Sequence, residues 1–339
     1  MPTKIIFRAN ANNKIGTGHV MRCLALANAC RNFGAKTQFI GSIEDEVLVQ
    51  RIISNKHEFI SLDSGFGCAW PESLDDYFGW VVLDGYDFDS SDQVNIQKKG
   101  YKLMVIDDMA HLDIYYADVI LNQNFSAHPG HYRLGSAAQM LMGPNYALLR
   151  KEFLGRSQSL RQKAENRLLI TLGGSDPQGV IFQLLDALDL VDQVKLEIKV
   201  IAGSSSFHLN RLKDYADHMQ KTGVHYIEIE RFTNDMPSKM LWADFAIIAG
   251  GSTTLEAAYM GLPVLVITMA NNQAAIAEAM GAAGAAIPLG WHSDLSARSI
   301  ANEIYNLVVN DQVRHGISLS ARTLVDGYGA DRVAQILLN

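Results

Sequence analysis

The segment KIGTGHVMR places a histidine, His19, just after two glycines, Gly16 and Gly18. The apolar residues before this segment predict a strand, and those after it predict a helix. An imidazole titrates near neutral pH, and glycines let the backbone approach a ligand closely. His19 is therefore a candidate general base at the end of a strand, where open α/β sheets bind ligands. A packing or helix-capping histidine is the alternative.

Charged side chains also occur at or near the ends of predicted strands. Arg22 is three residues after His19 and lies on the same helix face, where it would contact a phosphate, orient a carboxylate or remain solvated. Asp84 ends the apolar segment WVVLD, and Asp107 and Asp108 end the next one. If these strands are parallel, their carboxylates share one sheet edge and are suited to orient the imidazole. Loop capping by aspartate is the alternative.

Two glycine-rich turns in the second half of the chain are typical of phosphate binding. Gly174 and Ser175 follow the apolar segment RLLIT, whereas Gly251, Ser252 and Thr253 follow FAIIA. Each turn opens a predicted helix, and the N–H groups and dipole at a helix N-terminus attract anions. Two such turns suit a pyrophosphate.

Further residues of the second half suit the rest of a nucleotide ligand. Glu256, in the first turn of the predicted helix, would accept both ribose hydroxyls or serve only as a helix-dipole partner. Phe232, after an extended segment, would help to hold a base against backbone amides. Asn272 and Gln273 open the helix after PVLVIT and would reach the phosphates or a sugar.

A nicotinamide cofactor is disfavoured by the first glycine turn. The dinucleotide fingerprint requires a third glycine where this chain has Met21. The second predicted strand, TQFIG, also lacks an acidic residue at its end that would bind a ribose. We therefore expect no cofactor.

Alternating strand and helix patterns predict an α/β fold with two domains. Near-continuous apolar strands are typical of parallel sheets buried on both faces. The polar segment RKEFLGRSQSLRQKAEN marks a boundary. We expect two doubly wound, Rossmann-like domains, residues 1–155 and 166–339, joined by a linker at 156–165, with an interdomain cleft between them. Two helices, at 297–309 and 311–325, are expected to close the chain.

Composition and charge exclude several classes of protein. The net charge of −7 argues against nucleic-acid binding. Cys23, Cys30 and Cys68 are too few for a disulfide framework and lack zinc-ligand spacing, and we expect no required metal. Neither a signal-peptide stretch nor an apolar run of membrane-spanning length is present. We expect a cytoplasmic protein with a small-molecule partner and no membrane association.

Together, these motifs resemble the UDP-sugar hydrolases of pseudaminic acid biosynthesis, which are related to MurG-type glycosyltransferases. The similar segments are FRANANNKIGTGHVMRCLALA, VVLDGYDFD, VIDDMAHLDIYYADVILNQN, GPNYALLRKEF, LGGSDP and AGGSTTLEAAYMGLPVLVI. The resemblance implies a GT-B fold. It also implies metal-independent release of UDP from UDP-2,4-diacetamido-2,4,6-trideoxy-β-L-altropyranose, with inversion at C1.

The resemblance also implies residue roles. His19 would activate the attacking water, and the second domain would bind UDP through Ser252, Thr253 and Glu256. Tyr86 and Asn122 match positions that line the family's sugar site. Asparagine amides are suited to sugar hydroxyls and N-acetyl groups.

One position departs from the family pattern, which usually has an acid where this chain has Asn10. If that acid polarises the histidine, Asp84 would take its place, or the substrate would differ. Two alternatives therefore stay open. Beside the hydrolase, these are a GT-B glycosyltransferase that uses His19 as its base with an acceptor, and a non-catalytic nucleotide-sugar binding protein.

Overall fold

A computed structural model describes residues 3–12, 15–62, 79–156, 165–173, 176, 178–203, 209–231, 233 and 235–339. The chain divides into two compact units. The first unit contains Met1–Lys151 and Gly327–Asn339, and the second contains Glu152–Asp326. Each unit is a Rossmann-like α/β domain, which confirms the predicted fold class.

A parallel sheet forms the centre of the first unit. Its seven strands within the described ranges are β1 (Lys4–Ala9), β2 (Lys36–Gly41), β3 (Glu58–Ser61), β4 (Trp80–Asp84), β5 (Lys102–Ile106), β6 (Val119–Asn122) and β7 (Gln139–Met142). Their order is β3-β2-β1-β4-β5-β6-β7, and all neighbours are parallel. The order reverses between β1 and β4, and ligands bind such sheets at that switch point.

A second parallel sheet forms the centre of the second unit. Its six strands in the described part are β8 (Arg167–Thr171), β9 (Glu197–Ala202), β10 (Tyr226–Arg231), β11 (Phe245–Ala249), β12 (Val264–Thr268) and β13 (Ile287–Trp291). They are ordered β10-β9-β8-β11-β12-β13. The switch point here lies between β8 and β11, and the two glycine-rich turns follow these two strands.

Helices connect the strands in both units. The α-helices of the described residues are α1 (Gly18–Asn32), α2 (Glu46–Ser54), α3 (Ser90–Lys98), α4 (Val180–Leu188), α5 (Leu209–Thr222), α6 (Met236–Trp242), α7 (Thr253–Met260), α8 (Asn271–Ala282), α9 (Ala297–Val309), α10 (Asp311–Leu324) and α11 (Gly329–Leu338). Among them, none combines the length and the apolarity that crossing a membrane requires.

The central strands are buried on both faces, as their apolar sequences predict. Every residue of β4, β11 and β12 is buried. In β1, Ile5 and Phe7 pack with α1, whereas Ile6 packs on the other face of the sheet. Cys23 and Cys30 of α1 are buried free thiols in the core of the first unit. Cys68 lies outside the described residues.

Helix α3 and strands β7 and β13 were not predicted because their patterns are weak. Helix α3 has the polar sequence SSDQVNIQK, and only Gln93 and Ile96 in it are buried. Strands β7 and β13 are short, and β13 contains proline and glycine. Single-sequence periodicity detects such segments poorly, because packing rather than propensity holds them in place.

The end of the chain differs from the predicted domain division. Two closing helices were expected, but α11 follows them, and residues 327–339 belong to the first unit instead of extending the second domain to 339. The apolar residues of α11 pack in the same core cluster as Leu24 and Leu26 of α1. These α11 residues are Ala330, Val333, Ala334 and Leu337. Arg332 also donates to the carbonyl oxygen of Asn145 at 2.8 Å. An apolar helical stripe requires a partner surface, but its sequence does not identify that partner.

The close packing of α11 predicts that one methyl group added at Gly329 lowers the stability of the protein. A Cβ atom at Gly329 would lie 2.4 Å from both the backbone N and the backbone O of Ala147. Gly329→Ala should therefore displace α11 and lower the free energy of unfolding by about 1–3 kcal/mol. Urea denaturation followed by circular dichroism measures this change.

The same substitution at Gly316 is the matched control. Gly316 lies on the exposed face of α10, and no atom would come within 4 Å of a Cβ there. Gly316→Ala should raise the free energy of unfolding by up to about 1 kcal/mol, because alanine favours the helix. Equal unfolding midpoints for the two variants would contradict the close contact at Gly329.

Candidate active site

A tight turn after β1 positions His19. Gly16 has a φ of +78°, a conformation that favours glycine. Its N–H donates to the carbonyl oxygen of Asn12 at 2.8 Å, and the Asn12 side chain accepts from the N–H of Ile15 at 2.8 Å. Helix α1 then begins at Gly18, so His19 lies in its first turn, at the switch point of the sheet.

The imidazole of His19 contacts a carboxylate of the neighbouring strand. His19 Nδ1 lies 2.6 Å from Oδ1 of Asp84, and the two side chains are 7% and 0% exposed. Asp84 is the last residue of β4 and is paired in register with Ala9 of β1. A carboxylate accepts the Nδ1 proton and thereby leaves the Nε2 lone pair available as a base. The sequence-predicted pair is thus brought together.

Arg22 connects this pair to a second carboxylate. Its Nε and Nη2 donate to Asp84 Oδ2 and Oδ1 at 2.7 and 2.6 Å. Its Nη1 donates to both oxygens of Asp108 at 2.7 and 2.8 Å. Arg22 is buried, so the solvated-surface alternative is wrong. Of the two remaining interpretations, orienting a carboxylate matches this geometry, because the guanidinium donors point at protein carboxylates.

The pKa shifts follow from this arrangement. Burial alone would raise the pKa of the Asp84 carboxyl, but Arg22 and His19 hold that pKa well below its usual range. Arg22 likewise keeps the pKa of Asp108 lowered against the effect of burial. Burial would lower the pKa of Arg22, but the two carboxylates raise it above its ordinary value. All three groups are therefore charged at neutral pH.

Tyr86 covers the imidazole. Its ring meets the His19 ring edge-to-face, with the ring centroids 4.8 Å apart. Its hydroxyl donates to Asp108 Oδ2 at 3.0 Å. Burial and the nearby Asp108 carboxylate raise the pKa of Tyr86, so the phenol remains protonated. With 41% of its surface exposed, Tyr86 is accessible to a ligand.

The paired aspartates after β5 have separate environments. Asp108 joins Arg22 and also accepts from Asn124 Nδ2 at 3.1 Å. Asp107 instead accepts from the Tyr115 hydroxyl at 2.6 Å. Asp108 was predicted only as a carboxylate that shares the sheet edge with His19, and Asn124 was not among the predicted site residues. Their positions after apolar strands were a usable signal, but the connection through Arg22 was not visible in the sequence.

Asn122 and Asn10 have internal partners. Asn122 Nδ2 donates to the Tyr132 hydroxyl at 2.9 Å, and its Oδ1 accepts from the N–H of Asn124 at 3.0 Å. Asn10 Oδ1 accepts from Arg8 Nη1 at 2.7 Å and from the N–H of Ser42 at 3.1 Å. The carboxylate beside His19 is therefore that of Asp84, while Asn10 links the segments that follow β1 and β2.

In the second unit, the turn after β11 leads into α7. Ser252, at the N-cap, has helical backbone angles and makes no side-chain capping bond, and it is exposed. Thr253 is half-buried, and Thr254 Oγ1 donates to the carbonyl oxygen of Gly251 at 2.7 Å. Glu256 is buried in the first turn of α7. The N–H groups of Thr254 and Leu255 donate to the carbonyl oxygens of Gly251 and Ser252 at 3.0 and 3.1 Å, and the positive end of the helix dipole at this turn suits an anion.

Gln273 ties two strand ends of the second unit together. Its Oε1 accepts from the N–H of Gly250 at 3.2 Å and from the N–H of Met269 at 3.0 Å. These residues follow β11 and β12. Asn272, next to it at the start of α8, is half-buried. The side-chain oxygen of Gln273 therefore supports the glycine-rich turn.

The first glycine-rich turn is described only in part. Gly174, Ser175 and Phe232 lie outside the described residues. Gly173 has a φ of +90°. Asp176 accepts from the N–H groups of Val180 and Ile181, both at 2.9 Å, and so caps α4. Within the described ranges, no three His, Cys, Asp or Glu side chains form a group that could hold a metal ion.

Comparisons with known proteins agree with this architecture. Residues 168–318 match the family model described as the glycosyltransferase family 28 C-terminal domain. The structure is similar to that of MurG from Acinetobacter baumannii, with a TM-score of 0.71 and 16% identity over 99% of each chain. The fold is that of the GT-B enzymes.

The names of two sequence relatives refer to polysaccharide biosynthesis and to the hydrolysis of a UDP-sugar. The chain is 29% identical to the spore coat polysaccharide biosynthesis protein SpsG of Bacillus subtilis over 70% of this chain and 69% of that protein. It is 26% identical to the UDP-2,4-diacetamido-2,4,6-trideoxy-β-L-altropyranose hydrolase of Campylobacter jejuni over 63% of this chain and 74% of that protein. Together with the fold, these similarities support an enzyme of the GT-B group that acts on a nucleotide sugar.

The charge cluster predicts a pH-dependent cost of removing Arg22. In Arg22→Met, two carboxylates remain buried without their cation, so the free energy of unfolding at pH 7 should fall by about 3–5 kcal/mol. The lowered pKa values of Asp84 and Asp108 contribute stability that is present above about pH 4 and is lost below it. The deficit of the variant should therefore shrink as the pH falls from 7 towards 3, measured by urea denaturation.

Arg31, in the last turn of the same helix, provides the control. Arg31→Met removes a half-buried cation and should change the free energy of unfolding by about 1 kcal/mol or less. If the deficit of Arg22→Met were independent of pH, the coupling of Arg22 to the two carboxylates would be refuted.

Proposed function

We propose that the protein is a hydrolase that removes UDP from UDP-2,4-diacetamido-2,4,6-trideoxy-β-L-altropyranose, in pseudaminic acid biosynthesis. The observation that carries the proposal is the 2.6 Å contact between His19 Nδ1 and Asp84. It makes His19 a base whose second nitrogen is available. The substrate comes from the named relatives, two of which carry this activity in their names.

The reaction requires a base on the side of C1 opposite to UDP. His19 Nε2 takes a proton from water as the water oxygen bonds to C1. The bond from C1 to the β-phosphate oxygen breaks, and its electron pair leaves with UDP, so C1 is inverted. Asp84 stabilises the imidazolium that forms, because its carboxylate remains ionised beside Nδ1.

The departing UDP is an anion, and the second unit supplies its site in this proposal. The N-terminal amides of α7, with Gly251, Ser252 and Thr253, bind the phosphates and stabilise the charge that develops on them. Glu256 accepts from the ribose hydroxyls, and Asn272 and Gln273 contact the phosphates or the sugar. Gly174, Ser175 and Phe232 are retained as predicted UDP contacts. No metal is required for this stabilisation.

The position of Asn10 bears on the non-catalytic alternative. Asn10 lacks a charge, but the orienting carboxylate for His19 is Asp84, at the end of β4. The base therefore retains its acidic partner, which favours an enzyme over a nucleotide-sugar binding protein. Gly16 and Gly18 shape the turn beside the base, while Tyr86 provides an exposed aromatic surface next to it.

A GT-B glycosyltransferase is the second candidate, favoured by the structural similarity to MurG. It would use the same base but would deprotonate an acceptor hydroxyl instead of water. Incubation of the purified protein with the UDP-sugar in buffer alone separates the two. Release of UDP without an acceptor supports the hydrolase, and release only after an acceptor is added supports the transferase.

Loss of the imidazole should abolish turnover and leave nucleotide binding intact. His19→Ala should lower kcat for UDP release by at least about 100-fold, because a general base contributes that much or more. Asp84→Asn should also lower kcat, because Nδ1 then loses its charged acceptor. Calorimetry with UDP should give unchanged affinity for His19→Ala.

His315→Ala is the control, because His315 lies on the exposed surface of α10. Its kcat should equal that of the wild type. Full-rate release of UDP by His19→Ala would remove the catalytic role of His19.

A carboxylate placed at the start of α7 should weaken UDP binding without harming the fold. Ser252 is exposed, and an acidic residue at a helix N-terminus stabilises the helix. Ser252→Asp should nevertheless raise the Kd for UDP at least about tenfold, through repulsion of the phosphates. Isothermal calorimetry measures the affinity, and thermal denaturation checks the fold.

Ser296→Asp makes the same change at the N-cap of α9. Aspartate and serine cap helices equally well, so UDP affinity should be unchanged. A similar Kd for Ser252→Asp and the wild type would locate the phosphates elsewhere.

A further inference from the structure

The imidazole of His19 lies against a cation as well as a carboxylate. Arg22 Nη2 is 3.2 Å from His19 Nδ1, and the same nitrogen donates to Asp84 Oδ1 at 2.6 Å. All three side chains are buried, where charges interact more strongly than they do in water. Arg22 therefore cancels much of the attraction that the Asp84 carboxylate exerts on a proton at the imidazole.

A general base needs surroundings that favour its protonated form. If Arg22 and Asp84 were the only charges beside the ring, they would sum to zero, and an imidazolium would leave a net positive charge in a buried cluster. Asp84 would then orient the ring without making it a better base. The reaction proposed above therefore requires a further negative charge close to Arg22.

Asp108 supplies that charge. Both of its oxygens accept from Arg22 Nη1, at 2.7 and 2.8 Å, and its side chain is 11% exposed. Its other hydrogen bonds come from neutral donors, the amide of Asn124 and the hydroxyl of Tyr86. Burial raises the pKa of Asp108, but Arg22 and His19 lower it, so the carboxylate is ionised at neutral pH and interacts with the imidazole across Arg22.

We propose that Asp108 is a positioning residue for the base: it offsets the charge of Arg22, so that one net negative charge remains beside His19. When His19 Nε2 takes the proton from water, the cluster passes from one net negative charge to none, instead of from none to one positive charge. Asp108 acts through Arg22 and contacts neither the water nor the sugar. This inference rests on the proposed function and deepens it by naming what makes the imidazole basic.

Two neutral ionisable groups also contact the carboxylates. Cys23 Sγ donates to Asp84 Oδ2 at 3.5 Å, and Tyr86 donates to Asp108. Burial and Asp84 raise the pKa of the Cys23 thiol, just as burial and Asp108 raise the pKa of Tyr86. Both groups therefore stay protonated and add no charge to the cluster.

A second histidine and aspartate lie next to Tyr86. The ring of His111 meets that of Tyr86 with the centroids 6.0 Å apart, and its Nδ1 is 3.5 Å from Oδ2 of Asp107. Both residues are retained in every variant described below. A difference between a variant and the wild type therefore reports the charge that was removed.

A titration of the imidazole tests the proposal without turnover. The His19 ring signal of the ¹³C-labelled full chain is followed by NMR as the pH is changed, and it is assigned by its loss in His19→Ala. Asp108→Asn keeps the shape of the side chain and an acceptor oxygen for Arg22, and it should lower the titration midpoint by about one pH unit. Arg22→Met removes the opposite charge and should raise the midpoint by a similar amount.

The opposite signs distinguish a charge effect from a loosened structure, which would move both midpoints in the same direction. The controls are Arg31→Met, at the far end of α1, and Asp118→Asn. Asp118 is half-buried before β6, at the opposite edge of the sheet, where it accepts from the N–H of Leu103 at 2.7 Å. Both controls should leave the midpoint unchanged. Shifts of equal sign in Asp108→Asn and Arg22→Met, or no shift in Asp108→Asn, would overturn the proposal.

Kinetics measure the same effect in the working enzyme. In Asp108→Asn, the acidic limb of the pH profile of kcat/KM for UDP release should lie about one pH unit lower than in the wild type. Because a weaker base accepts the proton less readily, kcat on the plateau should fall about threefold, with KM unchanged. A fall in kcat with an unmoved limb would show a structural role alone and would contradict the proposal.

The two measurements separate this inference from the proposed function. If the His19 midpoints shift as expected but the wild type releases no UDP from the diacetamido sugar, the role of Asp108 stands and the hydrolase is wrong. If UDP is released but the midpoint and the acidic limb of Asp108→Asn equal those of the wild type, the hydrolase stands and the role of Asp108 is wrong.

Discussion

The site of the first unit depends on one buried arginine between two carboxylates. Asp84 and Asp108 follow adjacent parallel strands, and without a cation their charges would repel each other in a poorly solvated place. Arg22 donates two hydrogen bonds to each of them. Because both aspartates therefore remain ionised, Asp84 can orient His19, and Asp108 can hold the Tyr86 hydroxyl. The imidazole and the phenol owe their positions to the same guanidinium.

The two units have the same sheet topology but present different groups at its switch point. Each has a switch point between strands that are adjacent in the sheet but distant in the chain. In the first unit, this point presents side chains, with His19 and Asp84 at the ends of neighbouring strands. In the second, glycine-rich turns present backbone N–H groups, supported by Gln273. Ionisable side chains suit proton transfer, and backbone amides suit phosphate binding.

Whether the sequence predicted an element depended on how many of its residues are buried. Strand β4 was predicted with its correct bounds because five consecutive buried positions leave an apolar run in the sequence. Helix α3 was missed because it buries only Gln93 and Ile96. Asn122 shows the opposite case. Its match to the family's sugar site suggested a ligand contact, but its amide is engaged by Tyr132 and the backbone.

The sequence by itself determined the alternation of strands and helices, the parallel sheets, and the location of His19 and the glycine-rich turns at strand ends. These features depend on local spacing and on burial patterns that neighbouring residues share. Only the tertiary structure decided that Arg22 joins Asp84 to Asp108, that Asp84 and not residue 10 lies beside the imidazole, and that α11 packs in the first unit. Such contacts join residues 62 to 86 positions apart, or more, and local patterns do not specify the partner of a charge or of an apolar face.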